Sequence, residues 1–423
     1  MTVISSIEMM SQLKACKMAS KVLRSSPAEK RNQALRLAAS ALKKRSAEII
    51  VANQADLGAL PSSTASAFRD RLTLNEARIG QICLGLEQVA NFPDPLAEVV
   101  ENRVLENGLK VKKVRSPLGV IFMIFESRPN VAVESFSLAL KSGNVIILRG
   151  GKESMKTTEV IYGILSEALV ASGLPRDCLW GVADPDRKLI LALLQEKKSI
   201  DVVVPRGGET LIDYVVENSK IPIIKNDRGL CHIFVNHDAD LAMATEIVFN
   251  AKTQRPGVCN SMETLLVHDK IKDTFLPKVY ERLAAKGVQW HVCPKTAQVL
   301  HGRAGVVSAT VQDWDTEYLD LIINCKVVAS QQEAIDHIEK HGSKHSEAIV
   351  TASAEDARKF ESEVDAAAVY WNASTRFTDG FELGLGGELG ISTQKLHVRG
   401  PVGLRELTSV RWILEGTGQI RKD

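Results

Sequence analysis

The fold is decided by residues 118–151, which read LGVIFMIFESRPNVAVESFSLALKSGNVIILRGG. Two apolar runs, at 120–125 and 145–148, have the length of buried strands. Between them, residues 131–142 carry an amphipathic helical pattern, and Gly143 stands where a helix C-cap belongs. A strand, a helix and a second strand in this order predict a parallel sheet with a right-handed crossover.

Apolar runs and helical stretches keep alternating downstream. The first series adds runs at 178–183, 201–204 and 221–224, separated by helical stretches at 155–171, 185–197 and 209–219. The second series predicts strands at 231–236, 263–268, 318–328, 347–351 and 367–371, with helices at 239–252, around 270–286 and at 331–341. Each series therefore predicts an α/β domain with a parallel sheet, and such sheets bind ligands at the carboxyl ends of their strands.

Three segments lie outside these two series. Residues 1–100 have mostly helical periodicity. Residues 101–114 predict a hairpin that turns at Asn107-Gly108, and residues 409–414 predict one more strand. We expect the hairpin and the tail to form a small sheet outside both domains.

Composition bounds the class of protein. The chain has 423 residues, which predicts two or three domains, and its 45% hydrophobic and 25% charged residues are ordinary for a globular protein. Lys and Arg number 53 against 51 Asp and Glu, so no basic excess favours nucleic acid or an anionic membrane as the main partner. No apolar run reaches about 18 residues, so no membrane span is expected. Residues 1–10 also lack the basic region and apolar core of a secretory signal.

The seven cysteines are odd in number and scattered along the chain. That distribution does not make a disulfide framework, and it indicates free thiols in a reducing compartment, the cytoplasm. Thiol chemistry therefore becomes the main question.

Several motif-like patterns do not hold on inspection. Gly150-Gly151-Lys152 follows a strand but lacks the earlier glycine and the following Ser or Thr of a P-loop, and the glycines at 384–390 do not fit dinucleotide spacing. His337, His341 and His345 recur every fourth residue, but Gly342 is expected to end that helix. We therefore expect no metal site. No GxSxG elbow supports a serine hydrolase.

Glycine pairs at strand ends are better candidates for a binding site. Arg149-Gly150-Gly151 follows the strand at 145–148, and Arg206-Gly207-Gly208 follows the strand at 201–204 and opens the next helix. Glycine lets a phosphate approach backbone N–H groups, and a helix N-terminus favours negative charge. Each Arg adds a bidentate donor. Both segments are expected on the ligand-binding edge of the first sheet.

One cysteine differs from the other six. Cys259 lies in the polar loop 253–260, between a predicted helix and a predicted strand, whereas the others lie in apolar elements or lack suitable neighbours. Arg255 is placed to favour the thiolate, and either Asn260 or a backbone N–H could hold an oxyanion. This pattern indicates a nucleophile.

A family resemblance emerges from motifs in order along nearly the whole chain. They are PLGV at 117–120, ESRPN at 126–130, KSGN at 141–144, ILRGG at 147–151, PRGG at 205–208, GLCH at 229–232, VCN at 258–260, ETLL at 263–266, HSEAI at 345–349, WNASTRF at 371–377 and RGPVGL at 399–404. Together they resemble the gamma-glutamyl phosphate reductases, a branch of the aldehyde dehydrogenase superfamily that supplies the second step of proline biosynthesis.

The resemblance implies an aldehyde-dehydrogenase-like fold with two parallel-sheet α/β domains and a small β oligomerisation arm. The NADPH-binding domain would comprise 1–100 and 115–229, the catalytic domain 230–395, and the arm 101–114 with 396–423. The implied reaction is NADPH-dependent reduction of L-glutamyl 5-phosphate to L-glutamate 5-semialdehyde through a thioester on Cys259, with release of phosphate. A homodimer or higher homo-oligomer is expected, and docking of a glutamate kinase stays open.

The resemblance also implies roles for individual residues, which are expectations at this stage. Cys259 and Asn130 are expected in the catalytic centre. Arg128, Arg255 and Arg376 are candidate anion partners of the substrate, with Asn372 as a polar partner. The cofactor is expected to contact the remaining candidates: Arg149, Gly150, Gly151, Lys152, Arg206, Gly207, Gly208 and Glu317. Arg149 and Lys152 align where the superfamily has a Lys and a Glu, and a cation in place of that Glu favours the 2′-phosphate of NADP.

Hydrolytic aldehyde dehydrogenases carry a Glu-Leu-Gly-Gly stretch whose Glu activates the deacylating water. Here residues 226–229 read Asn-Asp-Arg-Gly, so that base is missing, although Asp227 is one residue away. The missing Glu disfavours the main alternative, a non-phosphorylating aldehyde dehydrogenase. Two further alternatives are a non-catalytic scaffold, which has no need of the Cys259 loop, and a cysteine hydrolase, which has no need of the Arg-Gly-Gly strand ends.

Overall fold

The computed structural model describes residues 4–126, 128–225 and 228–421. The chain divides into two compact units: unit 1 is Met1–Lys225, Gly384–Gly390 and Val402–Asp423, and unit 2 is Asn226–Leu383 and Ile391–Pro401. From the sequence, the boundary between the two α/β domains is predicted after residue 229, and residues 396–401 are predicted to belong to the arm. In the structure the first change follows Lys225, and 396–401 belongs to unit 2.

The helices of the described residues fall in both units. Those of unit 1 are α1 (Ser6–Ser25), α2 (Ala28–Lys44), α3 (Ser46–Gly58), α4 (Ser66–Leu72), α5 (Glu76–Asn91), α6 (Pro129–Lys141), α7 (Met155–Ala171), α8 (Arg187–Leu194) and α9 (Glu209–Asn218). Those of unit 2 are α10 (Leu241–Thr253), α11 (Lys272–Ala284), α12 (Pro294–Val299), α13 (Gln331–His341) and α14 (Ala354–Glu363). The helical character of residues 1–100 is confirmed by α1–α5.

The strands of the described part of the chain group into four sheets. Their bounds are β1 (Val99–Val104), β2 (Lys110–Pro117), β3 (Val120–Phe125), β4 (Val145–Arg149), β5 (Leu179–Gly181), β6 (Val202–Arg206), β7 (Cys231–Val235), β8 (Met262–His268), β9 (Gln289–Val292), β10 (Val306–Ser308), β11 (Ile322–Val328), β12 (Ser346–Val350), β13 (Ala368–Trp371), β14 (Ile391–Ser392), β15 (Gly400–Pro401) and β16 (Thr408–Glu415).

Unit 1 is built on a parallel sheet in the order β5-β4-β3-β6. Every residue of the central strand β3 is buried, as expected when helices cover both faces of a parallel sheet. The strand–helix–strand unit predicted from residues 118–151 is therefore confirmed as β3-α6-β4, and Gly143 follows α6 at φ +78°.

Unit 2 is built on a longer parallel sheet in the order β10-β9-β11-β8-β7-β12-β13. Its core includes the fully buried side chains of Phe275 and Trp290. The strand predicted at 318–328 begins only at Ile322.

The small antiparallel sheet has the order β1-β2-β16. Its hairpin turns at the predicted Asn107-Gly108, where Gly108 has φ +83° and donates its N–H to the carbonyl of Leu105 at 2.8 Å. The prediction that the hairpin and the tail share one sheet is confirmed. A separate pair, β14 and β15, lies in unit 2.

The prediction of a strand at 221–224 is wrong. Residue Ile223 forms only an isolated bridge with Val203 of β6. Pro222 has no N–H to donate, so the segment adds two flanking bonds, Val203 N–H to Pro222 O and Ile224 N–H to Val203 O, both 2.9 Å, without extending a ladder.

None of the helices in the described residues has the length and apolar character needed to cross a membrane.

Candidate active site

Cys259 lies, as predicted, in the loop that joins α10 to β8 in unit 2. A turn closed by Ser261 N–H to Val258 O at 3.0 Å carries it. The thiol residue is partly exposed, as is Cys293, whereas the other five cysteines are buried. Cys293 packs against the unit 2 core, and the backbone N–H of Val327 donates to its sulfur at 3.3 Å. Cys259 is therefore the partly exposed thiol that stands in a polar loop.

The backbone carbonyl of Cys259 is tightly packed. The thiol of Cys231, at the start of β7, donates to this oxygen at 3.1 Å. Gly229 lies so close that a Cβ on it would meet the Cys259 oxygen at 1.6 Å. Only glycine fits at position 229 while this carbonyl keeps its place.

The next residue, Asn260, is held by the segment that follows β13. Its side-chain nitrogen donates to the backbone carbonyls of Thr378 at 2.8 Å and Arg376 at 3.3 Å. Its backbone carbonyl accepts from the Thr375 hydroxyl at 2.7 Å. Both N–H bonds of the Asn260 side-chain amide are engaged by the segment that follows β13. Of the two oxyanion donors left open by the sequence, a backbone N–H is thus favoured over Asn260.

Two predicted anion partners come together beside Cys259. The Arg376 guanidinium donates to Gln254 Oε1 at 3.0 Å, in the same loop as Arg255 and Cys259. Burial lowers the pKa of Arg376, and the charge of Arg255 lowers it further, while Asp379 and Cys259 oppose this shift. A cation in the loop of a partly exposed thiol, with a second cation bonded to that loop, suits an anionic substrate.

Asn372 has a structural task in the same segment. It adopts φ +55°, and its amide bonds both backbone groups of Thr351, accepting from N–H and donating to the carbonyl at 3.0 Å each. A substrate contact would use the remaining donor and lone pair of this amide.

Two further candidates lie in unit 1. Asn130 stands in the first turn of α6 and donates to Glu134 Oε1 at 2.9 Å. Arg128 is the N-cap residue of the same helix and is half-buried. Their predicted roles stay predictions.

The Arg-Gly-Gly segments lie on one edge of the unit 1 sheet, as expected. Arg149 ends β4 opposite Ile124 of β3, and Arg206 ends β6 opposite Phe125. Arg149 donates to Pro185 O and Arg206 to Leu389 O, both at 3.2 Å. Burial lowers the pKa of Arg149. Gly150, Gly151 and Lys152 follow directly, and their contact with the cofactor stays a prediction.

The second glycine pair already holds an anion from the protein itself. The N–H of Gly208, the N-cap of α9, donates to Glu126 Oε1 at 2.8 Å. A Cβ on Gly207 would meet the same oxygen at 2.6 Å. A cofactor phosphate bound at this N-terminus would have to displace the Glu126 carboxylate, a residue that sequence reasoning did not single out.

Glu317 lies in unit 2 and contacts the cysteine loop through Gly229. Its Oε1 accepts the Gly229 N–H at 2.8 Å. The predicted cofactor contact of Glu317 is therefore accompanied by a protein contact at Gly229, two residues before Cys231.

The prediction that Gly342 separates the three histidines is confirmed, because they do not share one helix. His341 is the last residue of α13, with Gly342 as its cap, and His345 lies beyond it with Nδ1 2.8 Å from Ser346 Oγ. His337 is buried, and burial lowers its pKa.

A buried ion pair flanks the cysteine loop. Lys252 near the end of α10 lies 3.0 Å from Glu263 Oε2 in β8, and neither side chain is exposed. Burial raises the pKa of Glu263 to about 7 and lowers that of Lys252. The pair ties together the two elements that carry Cys259.

Comparison with known proteins places the chain in a family. The aldehyde dehydrogenase family model matches residues 4–298. Gamma-glutamyl phosphate reductase of Clostridium tetani is 46% identical over 416 residues, covering 96% of this chain and 97% of that protein. The enzyme of that name from Carboxydothermus hydrogenoformans is 48% identical over 415 residues, covering 98% and 99%. The crystal structure of gamma-glutamyl phosphate reductase from Thermotoga maritima matches with a TM-score of 0.95 and 44% identity, covering 98% of this chain and 100% of that one.

The chain belongs to the aldehyde dehydrogenase family, oxidoreductases that use a nicotinamide cofactor. Within that family it belongs with the gamma-glutamyl phosphate reductases. The family resemblance and the fold class expected from the sequence are both confirmed.

Proposed function

We propose that the protein reduces L-glutamyl 5-phosphate to L-glutamate 5-semialdehyde with release of phosphate, and that Cys259 is the nucleophile. The observation that carries the proposal is a partly exposed thiol in a braced polar loop, beside Arg255 and Arg376, in a chain of this family. Loops held by a rigid scaffold are where catalytic groups concentrate.

The thiolate of Cys259 attacks the carbonyl carbon of the acyl phosphate. The C–S bond forms, the bond between the acyl carbon and the bridging phosphate oxygen breaks, and phosphate leaves without needing an acid. A nicotinamide cofactor held by the residues proposed below would supply a hydride to the thioester carbon, leaving a thiohemiacetal alkoxide on Cys259. Breaking the C–S bond then returns the thiolate and releases the aldehyde. The cysteine thus divides one difficult step into two easier ones.

The substrate carries a phosphate and an α-carboxylate, so it needs cationic partners. Arg255 and Arg376 are the proposed partners on the Cys259 side, and Asn372 adds a polar contact. Arg128 and Asn130, at the start of α6, are proposed to contact the substrate and its reacting carbonyl.

NADPH is the proposed cofactor, bound by Arg149, Gly150, Gly151 and Lys152 after β4, by Arg206, Gly207 and Gly208 after β6, and by Glu317. Support comes from the half-buried Arg149 and from Lys152 just beyond it, because two cations suit the extra 2′-phosphate. Side-by-side kcat/KM values for NADPH and NADH test this, and equal values would reject it.

The competing function is hydrolytic oxidation of the aldehyde. It needs an activated water, and the sequence lacks the Glu that provides one. Asn226 and Asp227, the residues at that position, lie outside the described residues. The next residue, Arg228, donates to the carbonyl of Asp315 at 2.9 Å.

Phosphate dependence separates the two functions. Glutamate 5-semialdehyde is incubated with NADP⁺, with and without phosphate, using wild type and Cys259→Ala. The proposal predicts continuous NADPH formation only with phosphate and only in the wild type, because without phosphate the enzyme stops at the thioester after a single NADPH. Continuous reduction of NADP⁺ without phosphate would reject the phosphorylating reaction, and activity in Cys259→Ala would reject the nucleophile.

A homodimer formed through the β1-β2-β16 sheet is also proposed, in the cytoplasm. The edge strand β16 exposes Val410, Trp412 and Leu414 at alternate positions, so one face of this strand is apolar and accessible. Sedimentation of wild type and Trp412→Glu tests this, with a dimer and a monomer expected. A glutamate kinase is the class of enzyme that would supply the labile acyl phosphate.

A further inference from the structure

The carbonyl of Cys259 is held between Gly229, which lies just before β7, and Cys231, the first residue of β7. We propose that Glu317 and Cys231 are positioning residues that fix this carbonyl and thereby the Cys259 thiol. The inference rests on the proposed role of Cys259 as nucleophile and gives that site two residues that act through the backbone.

On one side, Glu317 acts through Gly229. The Glu317 carboxylate accepts the Gly229 N–H at 2.8 Å, and Gly229 packs against the Cys259 peptide without room for a Cβ. A close-packed contact of this kind transmits displacement, because protein interiors are as dense as organic crystals. If the Glu317 bond is lost, Gly229 is free to shift and the Cys259 carbonyl loses its support.

On the other side, Cys231 acts directly. Its fully buried thiol donates to the Cys259 carbonyl at 3.1 Å. Burial raises the pKa of the Cys231 thiol well above its usual range, so the group keeps the proton that it donates. Its sulfur also lies 3.7 Å from His345 Nδ1, within a buried polar group that continues to Ser346.

These contacts complete the bracing of the nucleophile loop. The next residue, Asn260, is held by Thr375, whose hydroxyl donates to its backbone carbonyl, and by Thr378, whose carbonyl accepts from its side-chain amide. With the Cys259 carbonyl and the following residue both held, the orientation of Cys259 is set before substrate binds. Such preorganisation is a large source of catalytic rate, and small misplacements of a reacting group are costly.

A role for Glu317 limited to cofactor binding makes a different prediction. In that case the carboxylate has no effect on Cys259 when cofactor is absent. The thiol's reactivity in the cofactor-free protein therefore separates positioning from cofactor binding.

The experiment measures the rate at which iodoacetamide alkylates Cys259 in the full-length protein without cofactor or substrate, by peptide mass spectrometry. The variants are Glu317→Ala and Glu317→Gln, and Cys231→Ala and Cys231→Ser. Gln keeps the acceptor and Ser keeps the donor. Glu361→Ala, which removes an exposed carboxylate on α14, is the control.

Positioning predicts alkylation about tenfold slower in both Ala variants, rates within about threefold of wild type in Gln, Ser and the control, and a parallel loss of kcat with little change in substrate KM. Unchanged alkylation in both Ala variants would overturn the proposal, even if the NADPH KM rises in Glu317→Ala. Unfolding is recognised separately, because it would expose the fully buried Cys325 to the reagent.

The proposed function can fail independently. Full activity in Cys259→Ala would reject Cys259 as nucleophile and, with it, any catalytic meaning of the positioning. Loss of activity in Cys259→Ala together with unchanged alkylation in the Glu317 and Cys231 variants would retain the nucleophile and reject the positioning residues.

Discussion

Replacing Gly229 with alanine gives the sharpest prediction, because the structure sets its size. An added Cβ would lie 1.6 Å from the Cys259 oxygen, and ordinary contacts of a Cβ begin at 3.4 Å. The difference means that backbone atoms of the nucleophile must retreat by about 1.8 Å, since 3.4 minus 1.6 is 1.8. The nearest atoms are all backbone, so no side-chain rotation relieves the clash.

A displacement of about 1 Å at a reacting group can reduce the rate by about 100-fold. Gly229→Ala is therefore expected to lower kcat by at least about 100-fold, and overpacking should also lower its stability by about 1–3 kcal/mol. The assay measures the steady-state reduction of NADP⁺ with semialdehyde and phosphate. Circular dichroism and a melting curve of each variant show whether it is folded.

Gly257→Ala is the matched control in the same loop. A Cβ there would meet Leu319 O at 3.5 Å, an ordinary contact, so its kcat should stay within about threefold of wild type. A folded Gly229→Ala enzyme that keeps more than about a tenth of wild-type kcat would refute the inference that Gly229 holds the nucleophile in place.

Three further predictions concern stability and cofactor binding. Lys252→Met should lower the melting temperature more at about pH 8 than at about pH 6. Burial raises the pKa of Glu263 to about 7, so at the lower pH this carboxylate can take up a proton and no longer needs the lysine. Equal losses of melting temperature at the two pH values would contradict this. Burial lowers the pKa of His345 from 6.5 to about 4, so its contribution to stability is present above pH 6.5 and is lost as the pH falls through 4. His345→Asn should therefore reduce the acid sensitivity of unfolding by up to about 3 kcal/mol in denaturant titrations, and an unchanged pH profile would count against it. Glu126→Ala frees the Gly208 N–H and should lower the Kd of NADPH several-fold in a fluorescence titration, with Glu217→Ala on α9 as the control; weaker binding would show that the carboxylate belongs to the cofactor site.

Local patterns predicted the scaffold well. Short apolar runs such as 120–125 and 145–148 indicate buried strands, and the helical patterns between them indicate the crossovers. The parallel sheets could therefore be predicted. The loop position of Cys259 followed from the same patterns. The strand at 221–224 was mispredicted because one proline breaks a ladder that hydropathy alone suggests.

The bracing of the site could not be predicted, because it joins residues far apart in the chain. Cys231 and Cys259 are separated by 28 positions, Gly208 and Glu126 by 82, and Gly229 and Glu317 by 88. Periodicity carries no information on such pairs. The one available signal was glycine at 207 and 229, where a missing side chain leaves space for a close neighbour.

The most direct test of the central claim is to trap the covalent intermediate. Wild-type enzyme is mixed with glutamate 5-semialdehyde and NADP⁺ without phosphate, quenched in acid and mapped by peptide mass spectrometry. The account predicts a glutamyl adduct on the peptide that contains Cys259, and its loss when phosphate is added before the quench. An adduct on another cysteine, or none at Cys259 while NADPH is produced, would contradict it.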